Sequence, residues 1–239
     1  MKIAKTNDEK AALWAIQGYY GDEKLAAEKI YGLSPKSQHL HYLLTRLINI
    51  QEQKLTFDFN KKSIPEIKAD IKDSIDIPTY DWIVKIAQEE KTSKNYLWHL
   101  AAGYLQTLQG NFDFANTAYA KAEQQMPPTP LAKSQLRLLR FMNQWFALDT
   151  IKSTDETALL PDLQWLYVDC VKKAPDNFRF SGPSSISKAF LSALYAKQGN
   201  VVMSELFDSK SGFYGNVEQL NAMKSFLSKP NNYKTPYEQ

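Results

Sequence analysis

The sequence predicts an all-α fold. Three features predict it: apolar residues at helical spacing, recurring signals for helix starts, and almost none of the apolar–polar alternation of a half-buried strand. Leu40, Leu43, Leu44, Leu47 and Ile48 follow the i, i+3, i+4, i+7, i+8 stripe of one helical face. Leu163, Leu166, Tyr167, Cys170 and Val171 repeat that spacing, and Leu138, Leu139, Met142, Trp145 and Phe146 form a similar face. Trp82, Ile83, Ile86 and Ala87 mark a shorter one.

A helix start must cover the free amides of its first turn. Thr6 with Glu9, and Ser153 with Glu156, have the spacing of a capping box, in which hydroxyl and carboxylate cover amides reciprocally. Ser34-Pro35 and Thr129-Pro130 set a capping hydroxyl before a proline, whose missing N–H costs nothing at the first helical position. Connections between the helical segments are mostly short. Two are longer. Residues 57–78, "FDFNKKSIPEIKADIKDSIDIP", are expected to hold a short helix around Pro65 to Ile71; residues 173–185, "KAPDNFRFSGPSS", are broken by Pro175, Gly182 and Pro183 and read as a connector.

A chain of 239 residues, 44% hydrophobic and 23% charged, can bury a sizeable core. Its 29 basic and 26 acidic residues leave a net charge of +3, with no block of like charges that would form a nucleic-acid arm, so no nucleic-acid partner is expected. A single cysteine, Cys170, excludes an internal disulfide framework and a multi-cysteine metal site. The start, "MKIAKTNDEK", lacks the apolar core of a signal peptide, and no window approaches the roughly 18 apolar residues of a membrane span. The chain as given reads as soluble. Cytoplasm is the default compartment, with periplasm or cell envelope following if a signal sequence has been removed. A start almost directly in a helix also fits a segment of a longer protein.

Catalytic chemistry has little to stand on. His39 and His41, two apart on a helix, point to different faces, and His99 stands beside Trp98 without a second ligand nearby in sequence. Cys170 lies on an apolar stripe, where packing rather than thiolate chemistry is expected. The adjacent Glu89 and Glu90 are separated around their helix, and the nine glycines are scattered instead of forming a phosphate-cradling loop. No catalytic residue, metal ligand or cofactor is expected.

One stretch is more specific. In "GYLQTLQGNFDFANTAYAKAEQQMP", residues 103–127, Gly103, Gly110, Ala115, Tyr119, Ala122 and Pro127 stand at offsets that resemble the tetratricopeptide repeat (TPR). Ala102 and Gln106 depart from that pattern, standing where the family usually has leucine and tyrosine. The clearest repeat covers residues 96–127. Partial repeats lie near 8–35, through Leu13, Gly21, Ala26 and Ile30, and near 184–208, through Leu191, Tyr195, Gly199 and Ser204, with Asp208 in place of the aromatic. Gly21, Gly110 and Gly199 are spaced 89 residues apart, as if a larger unit were used twice and begun a third time. The stretch "YGLSPKSQHLHYLLTRLINIQEQKLTF" is similar to uncharacterised repeat proteins of bacterial envelopes, which adds no biochemical role.

The resemblance implies one helical-repeat array over residues 1–239, a TPR-like right-handed α-solenoid of about ten or eleven helices. It also implies a concave groove lined by the first helix of each repeat. The matching positions are Leu97, Leu100, Tyr104, Thr107 and Leu108, continuing through Leu131, Ser134, Leu138, Phe141 and Met142. In the chaperone-binding branch two of these positions carry lysine and asparagine that clamp a peptide carboxylate; Leu100 and Tyr104 stand there, so that activity is not implied. The expected function is therefore a noncatalytic scaffold binding a protein or peptide partner. The alternative is a carbohydrate-binding or enzyme-accessory module using exposed aromatics among five Trp, 13 Tyr and 12 Phe. A coplanar row of exposed rings would favour the glycan, and an apolar groove the peptide.

Overall fold

The computed structural model describes residues 4–59 and 61–239. The protein is all-α: among the described residues every regular element is helical. The chain divides into two compact units, Met1–Thr56 with Asp70–Pro128, and Phe57–Ala69 with Thr129–Gln239.

The first unit contains α1 (Asn7–Tyr20), α2 (Glu23–Leu33), α3 (His39–Glu52), the end of α4 (Ile64–Ser74), α5 (Ile77–Glu89), α6 (Asn95–Leu108) and α7 (Phe112–Gln125). The expected capping box opens α1: the Thr6 hydroxyl accepts from Glu9 N at 3.1 Å, and the Glu9 carboxylate accepts from Thr6 N at 3.0 Å. Ser34-Pro35 does not start a helix. Ser34 ends α2, its amide bonded back to Ile30, and α3 begins at His39. The proline keeps Ser34 out of helical backbone, at φ −154° and ψ 88°, which suits an exit as well as a start. Leu40, Leu43, Leu44 and Leu47 are buried as their spacing predicts. The short helix expected around Pro65 to Ile71 is α4, with Ile64, Ile67, Ile71 and Ile75 buried.

The pair α6–α7 is the most closely packed in the molecule, and glycine is the reason. A Cβ at Gly103 would lie 2.7 Å from Cδ1 of Tyr119, whose ring is fully buried against that backbone. The same phenol shares a 3.2 Å hydrogen bond with Thr107. Gly110 ends α6 at φ +79°, the left-handed region that glycine adopts without a Cβ penalty, and Asn111 N then bonds Gln106 O at 2.9 Å. Gly199 closes α11 in the same way, at φ +76° with Asn200 N on Tyr195 O at 2.9 Å. Gly21 does not share this geometry. Its φ is −141°, and the turn is instead completed by Asp22, whose side chain accepts from Leu25 N.

The second unit contains the start of α4, α8 (Pro130–Phe146), α9 (Ser153–Gln164), α10 (Cys170–Lys173), α11 (Ser181–Lys197), α12 (Val201–Phe207) and α13 (Val217–Ser228). Thr129 caps α8, with Pro130 at its first position, as expected. Phe141, Trp145, Phe146, Phe190 and Leu194 form much of its core, with Phe59 edge-on to Phe190 at 5.9 Å. At the start of α9 the predicted partner is wrong by one residue. Asp155 accepts from Lys152 N at 2.9 Å, while Glu156 turns inward and is buried. A π-turn, Trp165–Asp169, joins α9 to α10 in one rod. The stripe Leu163, Leu166 and Cys170 is buried, but Val171 is 69% exposed, because simple 3.6-residue spacing does not extrapolate through a π-turn. Gly182 and Pro183, expected in a connector, lie inside the first turn of α11.

The close approach at Gly103 sets a direct expectation. Gly103→Ala should destabilise the protein by roughly 1–3 kcal/mol through overpacking against Tyr119, read as a lower midpoint in urea at unchanged slope. An unchanged midpoint would mean that Tyr119 moves aside freely.

Candidate functional site

In the first unit, Leu100, Thr107 and Leu108 are buried, whereas Leu97 and Tyr104 are half-buried. In the second, Leu138 and Phe141 are buried, Ser134 and Met142 are half-buried, and Leu131 is exposed. The buried side chains pack inward. Leu97 and Tyr104 in the first unit, and Leu131, Ser134 and Met142 in the second, keep some exposure. The cause is visible in the sequence of α6, "NYLWHLAAGYLQTL", which carries no Asp, Glu, Lys or Arg. A helix without charged residues can be covered on most of its sides, and α6 packs against α3, α5 and α7.

A different surface stands out in the first unit, on α1 and α3. Helix α1 buries Ala11 and Gly18 and exposes Leu13, Ile16, Tyr19 and Tyr20, with Trp14 half-buried between them. Ala11 and Gly18 face inward, where a Cβ on Gly18 would sit 2.6 Å from that of Ala26, while Leu13, Ile16 and Tyr20 are exposed at i, i+3 and i+7. Tyr20 is 84% exposed and stands edge-on to Tyr19, with ring centroids 4.8 Å apart at 73°. Tyr19 lies near-parallel to Tyr42 of α3, at 6.1 Å and 17°. The Arg46 guanidinium lies 5.1 Å from the Tyr19 ring centroid and 5.9 Å from that of Tyr42. Glu23, at the start of α2, holds Arg46 by accepting from its Nε at 3.1 Å and from its second terminal nitrogen.

The sequence contained the signal for this surface. Leu13, Ile16 and Tyr20 are in helical register, but so are the small residues on the opposite side, and large apolar side chains are ordinarily assigned to the core. Only the tight seam with α2 reverses that assignment.

The titratable groups are mostly in local pairs. His41 shares a 3.2 Å hydrogen bond with Ser93, and buried His99 meets Glu90 at 3.0 Å. Glu90 holds a left-handed backbone, φ 51°, at the end of α5. Burial pushes His99 below the usual histidine value, with Glu90 opposing. Cys170 is buried, which raises its thiol above the usual value. Among the described residues no cluster of three or more His, Cys, Asp or Glu could hold a metal ion, and no helix is long and apolar enough to cross a membrane.

No protein-family model, curated protein or solved structure matches the chain.

Two outcomes follow from these groups. Folded His99 takes up a proton only at lower pH than unfolded His99 does, so its contribution is complete above the unfolded value of about 6.5 and is lost as pH falls below it. Unfolding free energies measured at about pH 7.5 and 5.5 should therefore fall more for the wild type than for His99→Gln. Equal losses would remove His99 as a source of acid sensitivity. Cys170 should react with a thiol reagent far more slowly in the native protein than in urea, and equal rates would contradict its burial.

Proposed function

We propose that the chain is a noncatalytic interaction scaffold of TPR-like build that binds a protein or peptide partner, with the α1–α3 face of the first unit as its principal contact surface. The supporting observation is the inversion of α1: small residues at the seam, and Leu13, Ile16, Tyr19 and Tyr20 facing water beside Tyr42 and Arg46. Contiguous exposed apolar surface of this kind marks interaction sites, and tyrosine and arginine are enriched among the residues that dominate binding energy. Glu23 fixes the guanidinium, so less side-chain freedom is lost on binding.

The TPR-like build is supported by where the hairpins fall. Helices α1–α2, α6–α7 and α11–α12 are the three most extensively packed pairs, and they coincide with the repeat-like stretches near 8–35, 96–127 and 184–208. In the first unit α3 packs against both α1 and α6.

One observation favours a glycan on the same surface, the near-parallel Tyr19 and Tyr42 rings. Two oppose it. Tyr20 stands across that plane instead of extending it, and Arg46 lies over both rings. A sugar needs a free ring face, whereas a protein partner uses ring edges, hydroxyls and the guanidinium together.

Partners captured from the native host should be titrated against the wild type, Tyr20→Ala and Ile16→Ala, with far-UV circular dichroism as the control for folding. Each substitution should weaken binding by about 1 kcal/mol or more at unchanged helical signal, with little dependence on salt because Arg46 is already paired. Equal affinity for folded variants would remove this face as the binding site. Oligosaccharide binding that depends on Tyr42, without protein capture, would favour the glycan.

A further inference from the structure

Three buried polar atoms in the second unit have no hydrogen-bond partner among the described residues: Glu156 Oε2 on α9, and Thr235 Oγ1 and Tyr237 Oη near the end of the chain. Glu156 is only 5% exposed. Its other oxygen accepts from the phenol of Tyr195 on α11, at 2.5 Å, so half of a buried carboxylate is provided for. Leaving the other half dry is costly, more so for a charged group than for a neutral one.

The segment that carries the two orphaned hydroxyls is folded against this place. Glu238 joins its ends, accepting from Lys229 Nζ and from Thr235 N, each at 2.7 Å. Lys234 Nζ lies 5.2 Å from the Phe226 ring centroid. Tyr237 packs on Phe207 at 5.6 Å, and Phe207 in turn stacks on Tyr195 at 5.7 Å and 17°. The aromatic series Tyr237, Phe207, Tyr195 therefore leads from the segment to the acid. Burial, followed by the Glu156 charge, raises the Tyr237 phenol above its usual value, which also places the two groups near each other.

We infer that residues 229–239 form a strap latched to α9 through a buried hydrogen-bonding site, in which one water molecule bridges Glu156 Oε2 to the hydroxyl of Tyr237. An internal water needs two to four polar partners. A hydroxyl can donate to it or accept from it, and a carboxylate oxygen accepts, so both atoms are satisfied by the same molecule. Otherwise the Lys229–Glu238 ion pair closes the strap on itself, and the strap meets the helices through Tyr237 on Phe207 and Lys234 over Phe226. It opens as a local unit, at lower free energy than global unfolding, and opening uncovers the acid between the aromatic rings. Glu156 acts here as a positioning residue for the strap, separately from the tyrosine face of the first unit.

Hydrogen exchange on the full chain, followed by mass spectrometry, tests the latch. Tyr237→Phe keeps the ring on Phe207 and removes only the hydroxyl. It should speed exchange across residues 229–239 by about tenfold while leaving α8 unchanged. Glu156→Gln should speed the same segment, and the double variant should be no faster than the faster single one, because both remove one shared site. A crystal structure should show a water within hydrogen-bond distance of Glu156 Oε2. Unchanged exchange in Tyr237→Phe, or independent additive effects in the double variant, would overturn the latch, and Tyr237→Phe alone suffices if Glu156→Gln fails to fold.

Discussion

The close approach of paired helices is the constraint on which most of this structure depends. In each of the three tightest hairpins, a small residue stands where a larger side chain would hold the helices apart. Gly18 lies against Ala26 in α1–α2, and Gly103 lies under the Tyr119 ring in α6–α7. In α11–α12 the buried Ser192 hydroxyl donates to Ser204 O at 2.7 Å. Small contacts of this kind let backbones approach, and the dispersion gained along the seam is what a bulkier residue would forfeit. The same constraint sets the surface of α1. Once its seam is occupied by Ala11 and Gly18, Leu13, Ile16 and Tyr20 have nowhere to go except outward.

Between the seams, glutamine side chains bind helix ends together. Gln51 Oε1 accepts from Asp76 N at 2.9 Å, at the start of α5. Gln106 Oε1 accepts from Tyr80 and from Asn111, both at 2.9 Å, tying α5 to the α6–α7 turn. Gln198 clasps Ile151 at both its amide and its carbonyl, at 2.7 and 2.9 Å. An uncharged amide can donate and accept at once, so it satisfies free backbone groups at helix ends without burying a charge. Gln106 stands where the repeat pattern would place a tyrosine, and its pairing with Tyr80 and Asn111 gives that departure a structural use.

Glu156 shows why polar side chains were harder to assign than apolar ones. By spacing it completes a capping box with Ser153, yet Asp155, one residue earlier, takes that task by accepting from Lys152 N. Both acids are close enough in sequence to serve the first turn. Tyr195, 39 positions away, decides between them by offering Glu156 a buried donor. A similar ambiguity ran through the expected groove. Leu100, Thr107 and Leu108 occupy helical positions that could face a partner or a neighbouring helix, and the packing of α6 against α3, α5 and α7 buried them.

The sequence by itself determined the helical class, the main apolar stripes, the capping at Thr6 and Thr129, and the turns at Gly110 and Gly199. These depend on interactions within a few residues, where spacing and stereochemistry leave few alternatives. Only the tertiary structure decided which side of α1 faces water, that Val171 leaves its stripe beyond the π-turn, and that Tyr19, Tyr42 and Arg46 meet on one surface. Those outcomes depend on which residues from distant parts of the chain compete for the same contact. Helical periodicity records where a face lies, but not what comes to cover it.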